Sequence, residues 1–219
     1  VILPSVPLAQ RVKNLLVFAP LVFAHIFYDS SKIVAGIWSF ISFSLIASSV
    51  YIFNDLVDLP YDRRHPKKCK RPLAAGKLSV PWAISLFFVL LAMGLLVALN
   101  LPNAFLLYCI IYLAFNFSYT VSLKQYPLID VFILATFYVV RLFAGGAATD
   151  VFISDWLKIF SMFIFMSLGF LKRYSERLRV QSLSKHEGFG RGYSNQDLTV
   201  LLCFGISSGF LSCLTLGLY

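Results

Sequence analysis

Long apolar runs fill most of this chain and restrict it to few folds. A helix needs about 20 consecutive apolar residues to cross the hydrocarbon core of a bilayer. Six runs approach this length, over residues 33–53, 80–99, 101–121, 127–149, 156–171 and 198–219. A shorter run over residues 15–28 is predicted as a seventh span, with an interfacial or re-entrant segment as the alternative. Because helices satisfy their backbone polar groups within lipid, the runs predict an all-α fold, a polytopic transmembrane helical bundle.

The composition is that of a membrane protein rather than a soluble domain. Hydrophobic residues make up 59% of the 219 residues and charged residues 13%, and the mean hydropathy is +0.79. Because the four cysteines have no paired spacing, neither a disulfide framework nor a zinc site is predicted. No linker or low-complexity tract divides the chain, so a single domain over residues 1–219 is predicted.

Basic residues give the chain a net charge of +9, and their positions indicate its topology. In a soluble protein this charge would suggest nucleic acid, but here we expect a bilayer and no nucleic-acid partner. Most basic residues precede the first run or follow the second, fourth and sixth, whereas the opposite connections hold only Lys32 and Lys158. The N-terminus and the two large basic loops are therefore predicted to lie in the cytoplasm.

Acids and an amide recur at the end of the second run. Asn54, Asp58 and Asp62 are four residues apart and would share one face of a helix. The like charges favour a cation between them, and oxygen ligands suit Mg²⁺, which completes its coordination with water and substrate phosphates. These three residues are the predicted catalytic metal ligands, and Pro60 is expected to bend the segment between Asp58 and Asp62.

A basic run follows the acids directly, over residues 65–72. It suits a substrate rich in phosphate, and Lys68 and Arg71 are its candidate phosphate-binding residues. The alternative account is a solvated helix end whose basic residues report only topology. That alternative explains the acids poorly, because carboxylates at a membrane edge are costly and tend to mark a site.

The loop after the sixth run begins with a second charged cluster, Lys172, Arg173 and Glu176. Residues four apart on a helix share a face, so one account is a surface helix held by ion pairs. The other account is a second phosphate clamp, in which Glu176 helps to hold metal or substrate hydroxyls. The sequence leaves both accounts open.

Further polar residues lie near the same predicted membrane face. Tyr119 and Lys124 close the fourth run, Asp130 opens the fifth, and Lys13 precedes the first. Arg141 lies about three turns beyond Asp130, where an arginine should face a protein interior or a polar cavity rather than lipid. It is either a buried tie between helices or a ligand for an anionic headgroup, and all five residues are candidate substrate-binding residues.

The N-D-x-x-D-x-x-x-D pattern of Asn54, Asp55, Asp58 and Asp62 resembles the first signature of UbiA-type intramembrane prenyltransferases. Other matches resemble one branch of that superfamily, the decaprenyl-phosphate phosphoribosyltransferases. These matches are Gln10, Lys13, Asn14, His65, Pro66, Lys68, Arg71, Pro72, Ala74, Ala75, Gly76, Asp130, Arg141, Ala144, Gly145, Gly146 and residues 172–176. Arg11 stands where the branch usually has tryptophan.

The resemblance implies a UbiA-type bundle of about nine helices around a cavity open to lipid. The chain offers about seven of these nine, which implies that it is truncated at its C-terminus. Ordinary UbiA-type enzymes carry a second aspartate pair after the sixth helix, where this chain has Lys172, Arg173 and Glu176. The more basic loop suits two phosphate-bearing substrates and favours the phosphoribosyltransferase branch.

The branch implies a Mg²⁺-dependent transferase of the bacterial inner (plasma) membrane, with its site facing the cytoplasm. It would move 5-phosphoribosyl from phosphoribosyl diphosphate to a polyprenyl phosphate, release diphosphate and serve cell-wall biosynthesis. Two alternatives stay open: prenyl transfer from a prenyl diphosphate to an aromatic or quinone acceptor, and a membrane transporter or lipid carrier. The residues also leave open whether the protein is a homo-oligomer.

Overall fold

The computed structural model describes residues 12–26, 28–65, 68–182, 193–194 and 196–219. Every regular element within these ranges is helical, as the apolar runs predict. The α-helices are α1 (Ala19–Phe23), α2 (Ser30–Val57), α3 (Leu59–Arg64), α4 (Val80–Ala98), α5 (Asn103–Val121), α6 (Ile129–Thr149), α7 (Asp155–Ser182) and α8 (Asp197–Gly217). Short 3₁₀ turns cover Leu15–Phe18, Lys68–Lys70 and Leu123–Gln125. The sequence matches at Gln10 and Pro66 lie outside the described ranges.

Five helices of the described part, α2, α4, α5, α6 and α8, are long and apolar enough to cross a membrane. Two of the predicted runs lie outside these five helices. Within residues 15–28 the structure describes a 3₁₀ turn over Leu15–Phe18 and the short helix α1, whose first turn holds Pro20. Residues 156–171 lie inside α7, where Lys158 and Lys172 flank the apolar stretch.

Helix α2 is longer than the run that predicts it. Its 28 residues extend about 42 Å at a rise of 1.5 Å per residue, against a hydrocarbon core of about 30 Å. At its start the Asp29 carboxylate accepts hydrogen bonds from the backbone N–H groups of Ser31 at 3.0 Å and Lys32 at 3.3 Å. At its end Asn54 and Asp55 lie in the last turn, so the acidic motif begins on a helix.

The described residues form two compact units, the first drawn from Val1–Thr120 and Arg141–Phe152 and the second from Val121–Val140 and Ile153–Tyr219. In the first unit α2 packs against α4, and Ile52, Leu73 and Ala83 are buried together near the end of α2. In the second unit α7 packs against α8, and its apolar core includes Val131 and Phe170. A single domain over residues 1–219 stays a prediction.

A close approach of two backbones at Gly145 fixes part of the first unit. A Cβ built on this α6 glycine would overlap the Val17 carbonyl group, at 2.7 Å from its carbon and closer still to its oxygen. Both atoms belong to the backbone, which cannot rotate away as a flexible side chain can. Glycine is therefore required where α6 meets the turn formed by Leu15–Phe18.

We expect Gly145→Ala to lower the free energy of unfolding by about 1–3 kcal/mol, the usual cost of forcing extra atoms into a packed site. The matched control is Gly217→Ala, because a Cβ at Gly217 meets no atom within 4 Å. Thermal unfolding of the purified protein in detergent compares the two variants with the parent. Equal melting temperatures for both variants would contradict the close approach.

Candidate functional site

The predicted acidic motif lies where α2 ends and α3 begins. The Asp58 N–H group donates to the Asn54 carbonyl at 2.9 Å, and the Asp58 carbonyl accepts from the Asp62 N–H group at 2.8 Å. Asp58 thus ends one helix and precedes the next, while Pro60 occupies the first turn of α3, where its missing N–H group costs little. The helix is interrupted at Asp58, before Pro60, and Asp62 lies on the short helix α3. A bend between Asp58 and Asp62 stays a prediction.

The basic run folds back onto these acids. Arg71 Nη1 lies 2.7 Å from Asp62 Oδ2 and 2.7 Å from Asp55 Oδ1, so one nitrogen bridges two carboxylates. Lys68 Nζ lies 3.3 Å from Asp62 Oδ1. Because the Asp62 side chain is only 2% exposed, these charge-assisted contacts offset the cost of burying its charge. Two motifs that the sequence presents as neighbours therefore form one cluster.

Local backbone structure positions the two basic residues. The Lys68 N–H group donates to His65 Nδ1 at 3.2 Å, which makes His65 a cap for the 3₁₀ turn that follows. Beyond Arg71, Leu73 is buried in the apolar cluster near the end of α2. Gly76 adopts a φ of +73°, which favours glycine and turns the chain toward α4. The loop is thus fastened at both ends, and Lys68 and Arg71 project from it toward the acids.

The donor set at Asp62 fits a divalent cation. Asp62 Oδ1 is buried and accepts no hydrogen bond within the described residues, because the Lys68 ammonium lies at ion-pair rather than hydrogen-bond geometry. Within the same ranges no three or more His, Cys, Asp or Glu side chains are gathered to hold a metal ion. Mg²⁺ needs only one or two protein carboxylates, so an available oxygen on Asp62 is compatible with the predicted role of Asn54 and Asp58.

Sequence reasoning missed two partners of this cluster. Thr120, on α5, is 2% exposed, and its hydroxyl donates a hydrogen bond to Asn54 Oδ1. Asp55 was recognised in the motif, but its ion pair with Arg71 was not predicted. A neutral hydroxyl 66 residues from its partner gives no charge or spacing signal, so Thr120 could be found only from the fold.

Arg141 lies in a separate polar cluster of the first unit and is 3% exposed. Its Nε donates to Asn14 Oδ1 at 3.1 Å, and its Nη2 donates to the Tyr112 hydroxyl at 3.0 Å. Its guanidinium carbon also lies 4.9 Å from the centre of the Tyr112 ring and 5.5 Å from that of Phe43. Such cation–π contacts are strongest when desolvated. The geometry is that of a buried tie between helices, and headgroup binding stays a prediction.

The second unit holds a buried ion pair between α6 and α7. Arg173 Nε lies 2.6 Å from Asp130 Oδ2, with the two side chains 3% and 0% exposed. Arg173 Nη1 also lies 2.7 Å from Glu176 Oε2, three residues along the same helix. Arg173 is therefore engaged by two acids, and the prediction that it binds phosphate would require it to exchange one of them.

Tyr193 completes this buried network and was not predicted. Its hydroxyl donates to Asp130 Oδ1 and accepts a hydrogen bond from the Leu128 N–H group at 2.8 Å. Burial raises the pKa of Tyr193, and the hydrogen bond to Asp130 and the charge of that carboxylate raise it further. The hydroxyl therefore stays protonated at neutral pH and remains a donor to Asp130. Leu128 has a positive φ of 67°, a strained conformation that the Tyr193 contact helps to hold.

The remaining predicted binding residues lie at four places in the described chain. Lys13 lies in the helical turn before Leu15, Tyr119 near the end of α5, Lys124 in the 3₁₀ turn before α6, and Lys172 on α7. Lys172 is exposed and the other three are partly buried. Their roles in binding substrate stay predictions.

Known proteins resemble this chain over most of its length. A family model described as the UbiA prenyltransferase family matches residues 15–218. The chain is 30% identical over 208 residues to nodulation protein NoeC of Azorhizobium caulinodans, covering 94% of this chain and 67% of that protein. It is 36% identical over 173 residues to decaprenyl-phosphate phosphoribosyltransferase of Mycolicibacterium smegmatis, covering 76% of this chain and 54% of that protein. The curated relatives are longer, and the chain spans 41–67% of their length.

The fold also matches solved structures. One is a UbiA homolog from Archaeoglobus fulgidus bound to GPP and Mg²⁺, with a TM-score of 0.76 and 19% sequence identity. The match covers 98% of this chain and 73% of that one. At this level of identity the likeness concerns the fold alone, and it confirms the predicted all-α bundle.

Proposed function

Because this chain belongs to the UbiA prenyltransferase family of membrane transferases, we propose that it transfers 5-phosphoribosyl from phosphoribosyl diphosphate to a polyprenyl phosphate. The reaction depends on Mg²⁺ and releases diphosphate. Similarity to a decaprenyl-phosphate phosphoribosyltransferase over 76% of the chain supports this donor and this class of lipid. The basic loops support a site that faces the cytoplasm from a bacterial inner membrane.

The surroundings of Asp62 carry this proposal. Its buried carboxylate lies 2.7 Å from Arg71 and 3.3 Å from Lys68. An acid that suits a cation and two bases that suit phosphate are therefore in direct contact. A diphosphate bound with a divalent cation presents both complementary charges at once, so it matches this cluster better than a neutral substrate would.

On the donor side, Asp62 would hold Mg²⁺ together with Asn54 and Asp58. The bound ion would neutralise charge on the diphosphate and make it a better leaving group. Lys68 would bind an outer phosphate oxygen through its compact ammonium charge, and Arg71 would bind phosphate oxygens through its planar guanidinium group. These residues would fix the position of the diphosphate relative to the ribose.

The polyprenyl phosphate enters from lipid. One of its phosphate oxygens attacks the anomeric carbon of the ribose, the bond from that carbon to the diphosphate oxygen breaks, and diphosphate leaves with the electron pair. No strong general base is required, because the attacking phosphate is already ionised. Catalysis rests on positioning the two phosphate groups and on stabilising the departing charge.

The other predicted residues would assist binding. Lys13 and Arg141, in the first unit, suit an anionic headgroup, and Tyr119 suits a phosphate or hydroxyl partner. For the second unit we propose substrate contacts from Lys124, Asp130, Lys172, Arg173 and Glu176, in which any contact from Arg173 replaces an existing ion pair.

Prenyl transfer to an aromatic or quinone acceptor is the second candidate. The Archaeoglobus homolog of the same fold is bound to GPP and Mg²⁺, which favours it. Against it, residues 172–196 contain no aspartate, so the second acidic pair of ordinary UbiA-type enzymes is missing from the sequence there. A transporter has weaker support, because the family is one of transferases.

Release of diphosphate tests the proposed reaction class. The full-length protein in lipid would be supplied with phosphoribosyl diphosphate and a polyprenyl phosphate, with either Mg²⁺ or a chelator. We expect diphosphate release and a new phosphoribosyl lipid, both dependent on Mg²⁺ and on the lipid acceptor. Movement of substrate across the membrane without chemical change would instead favour transport.

Asp58→Asn should lower turnover on the order of 100-fold, because the neutral amide keeps the shape of the helix junction but removes a predicted metal ligand. Asp150→Asn is the matched control, since Asp150 is exposed and its positive φ of 50° suits asparagine. Turnover and size-exclusion profiles are measured for both variants. Near-normal turnover of Asp58→Asn would remove Asp58 from the site.

A further inference from the structure

A single nitrogen of Arg71 occupies the position between two carboxylates. Arg71 Nη1 lies at 2.7 Å from both Asp55 Oδ1 and Asp62 Oδ2. The Lys68 ammonium approaches the other Asp62 oxygen at 3.3 Å. A charge placed between two acids in this way does what a bound cation would do, since it relieves their mutual repulsion.

The acids and the bases of this cluster differ in how firmly they are held. Asp55 and Asp62 lie on helices α2 and α3, and Asp62 is 2% exposed. Lys68 and Arg71 lie on a loop, and their side chains are 39% and 38% exposed. The long basic side chains can therefore leave by rotation while the acids stay in place. The backbone need not move, because Leu73 remains anchored in the apolar cluster.

We propose that Arg71 and Lys68 are exchangeable counter-ions of the acidic motif. Without ligand they neutralise Asp55 and Asp62. When the metal and the diphosphate arrive, Arg71 and Lys68 leave Asp62 to the cation and bind the phosphate oxygens. This inference rests on the proposed function and adds to it the resting state of the same site.

The exchange accounts for one feature of the described residues. Asp62 Oδ1 is buried and accepts no hydrogen bond there, and the Lys68 ammonium lies 3.3 Å from it. Departure of Lys68 would leave this oxygen to a cation. Metal that binds alone must displace the basic side chains from the carboxylate. Metal that binds with diphosphate also supplies phosphate oxygens for these side chains to contact.

The exchange predicts opposite effects of one substitution on two affinities. Arg71→Gln should bind Mn²⁺, used as a probe for Mg²⁺, roughly tenfold more tightly than the parent in the absence of substrate, a typical size for coupled binding. The same variant should bind phosphoribosyl diphosphate roughly tenfold more weakly in the presence of metal. Electron paramagnetic resonance of free Mn²⁺ gives the first affinity, and calorimetry gives the second.

Lys70→Gln is the matched control, because Lys70 is exposed on the same turn and the change in net charge is identical. It should leave the Mn²⁺ affinity unchanged. Lys68→Gln should tighten Mn²⁺ binding in the same direction as Arg71→Gln, and it replaces that variant if Arg71→Gln fails to fold.

The exchange would be overturned if Arg71→Gln bound Mn²⁺ no more tightly than the parent. The same criterion applies to Lys68→Gln if that variant has to replace Arg71→Gln. Asp62→Asn separates this failure from failure of the proposed metal site. If Asp62→Asn loses Mn²⁺ while the counter-ion variants bind it no more tightly, only the exchange is wrong. If Asp62→Asn binds Mn²⁺ as the parent does, the metal site itself is wrong, and the exchange fails with it.

Discussion

Asp62→Asn should reduce the rate of phosphoribosyl transfer on the order of 10²- to 10³-fold, the usual loss when one electrostatic group is removed from a reaction site. The amide has the shape of the carboxylate but lacks its charge. The variant therefore loses the available anionic oxygen and the attraction for Lys68 and Arg71 together. Asparagine can still accept a hydrogen bond from Arg71, so we expect the protein to fold.

The control for this variant is Asp155→Asn. Asp155 begins α7, its side chain is 83% exposed, and it pairs only locally with Lys158 among the contacts described. Initial rates at saturating lipid and varied donor separate loss of turnover from loss of donor affinity. Turnover of Asp62→Asn within a few-fold of the Asp155→Asn control would show that Asp62 is not part of the reaction site.

Arg173→Met should destabilise the protein strongly. It leaves the buried Asp130 carboxylate without its arginine, and breaking a buried ion pair from one side costs about 3–5 kcal/mol. For a chain of this size each kcal/mol lowers the melting temperature by about 2–4 °C. Thermal unfolding in detergent should therefore show a melting temperature lower by roughly 6–20 °C.

Lys158→Met is the matched control for the buried pair. It breaks the Lys158–Asp155 pair, whose side chains are 34% and 83% exposed, and exposed pairs contribute only about 0–1 kcal/mol. Asp130→Asn combined with Arg173→Met should recover part of the lost stability, because the unpaired buried charge is then removed. A melting temperature of Arg173→Met no lower than that of Lys158→Met would contradict the account of this pair.

The helices were predictable where the apolar run was long and continuous. The runs that became α4, α5, α6 and α8 were recognised nearly to their ends, because lipid leaves a long apolar segment few alternatives to a helix. Prediction was weaker where charges interrupt the run. The continuation of α7 past Lys172 to Ser182 and the extension of α2 to Val57 depend on packing and hydrogen bonding rather than on hydropathy.

The candidate site was predictable in its residue types but not in its pairings. The four-residue spacing identified Asn54, Asp58 and Asp62, and composition identified the basic run. Arg71 bridges Asp55 and Asp62 because the loop returns to the end of α2. The spacing of residues in the sequence does not predict this path of the loop. The partners of Asp130 were also hidden, since 43 residues separate it from Arg173 and 63 from Tyr193.

The donor that the protein accepts tests the proposed function most directly. The full-length protein in lipid nanodiscs with Mg²⁺ would receive labelled phosphoribosyl diphosphate and a polyprenyl phosphate in one reaction. A parallel reaction would contain a labelled prenyl diphosphate and an aromatic acceptor. We predict a labelled phosphoribosyl lipid in the first reaction and no product in the second. A prenylated aromatic product without any phosphoribosyl lipid would contradict the proposal and assign the protein to prenyl transfer.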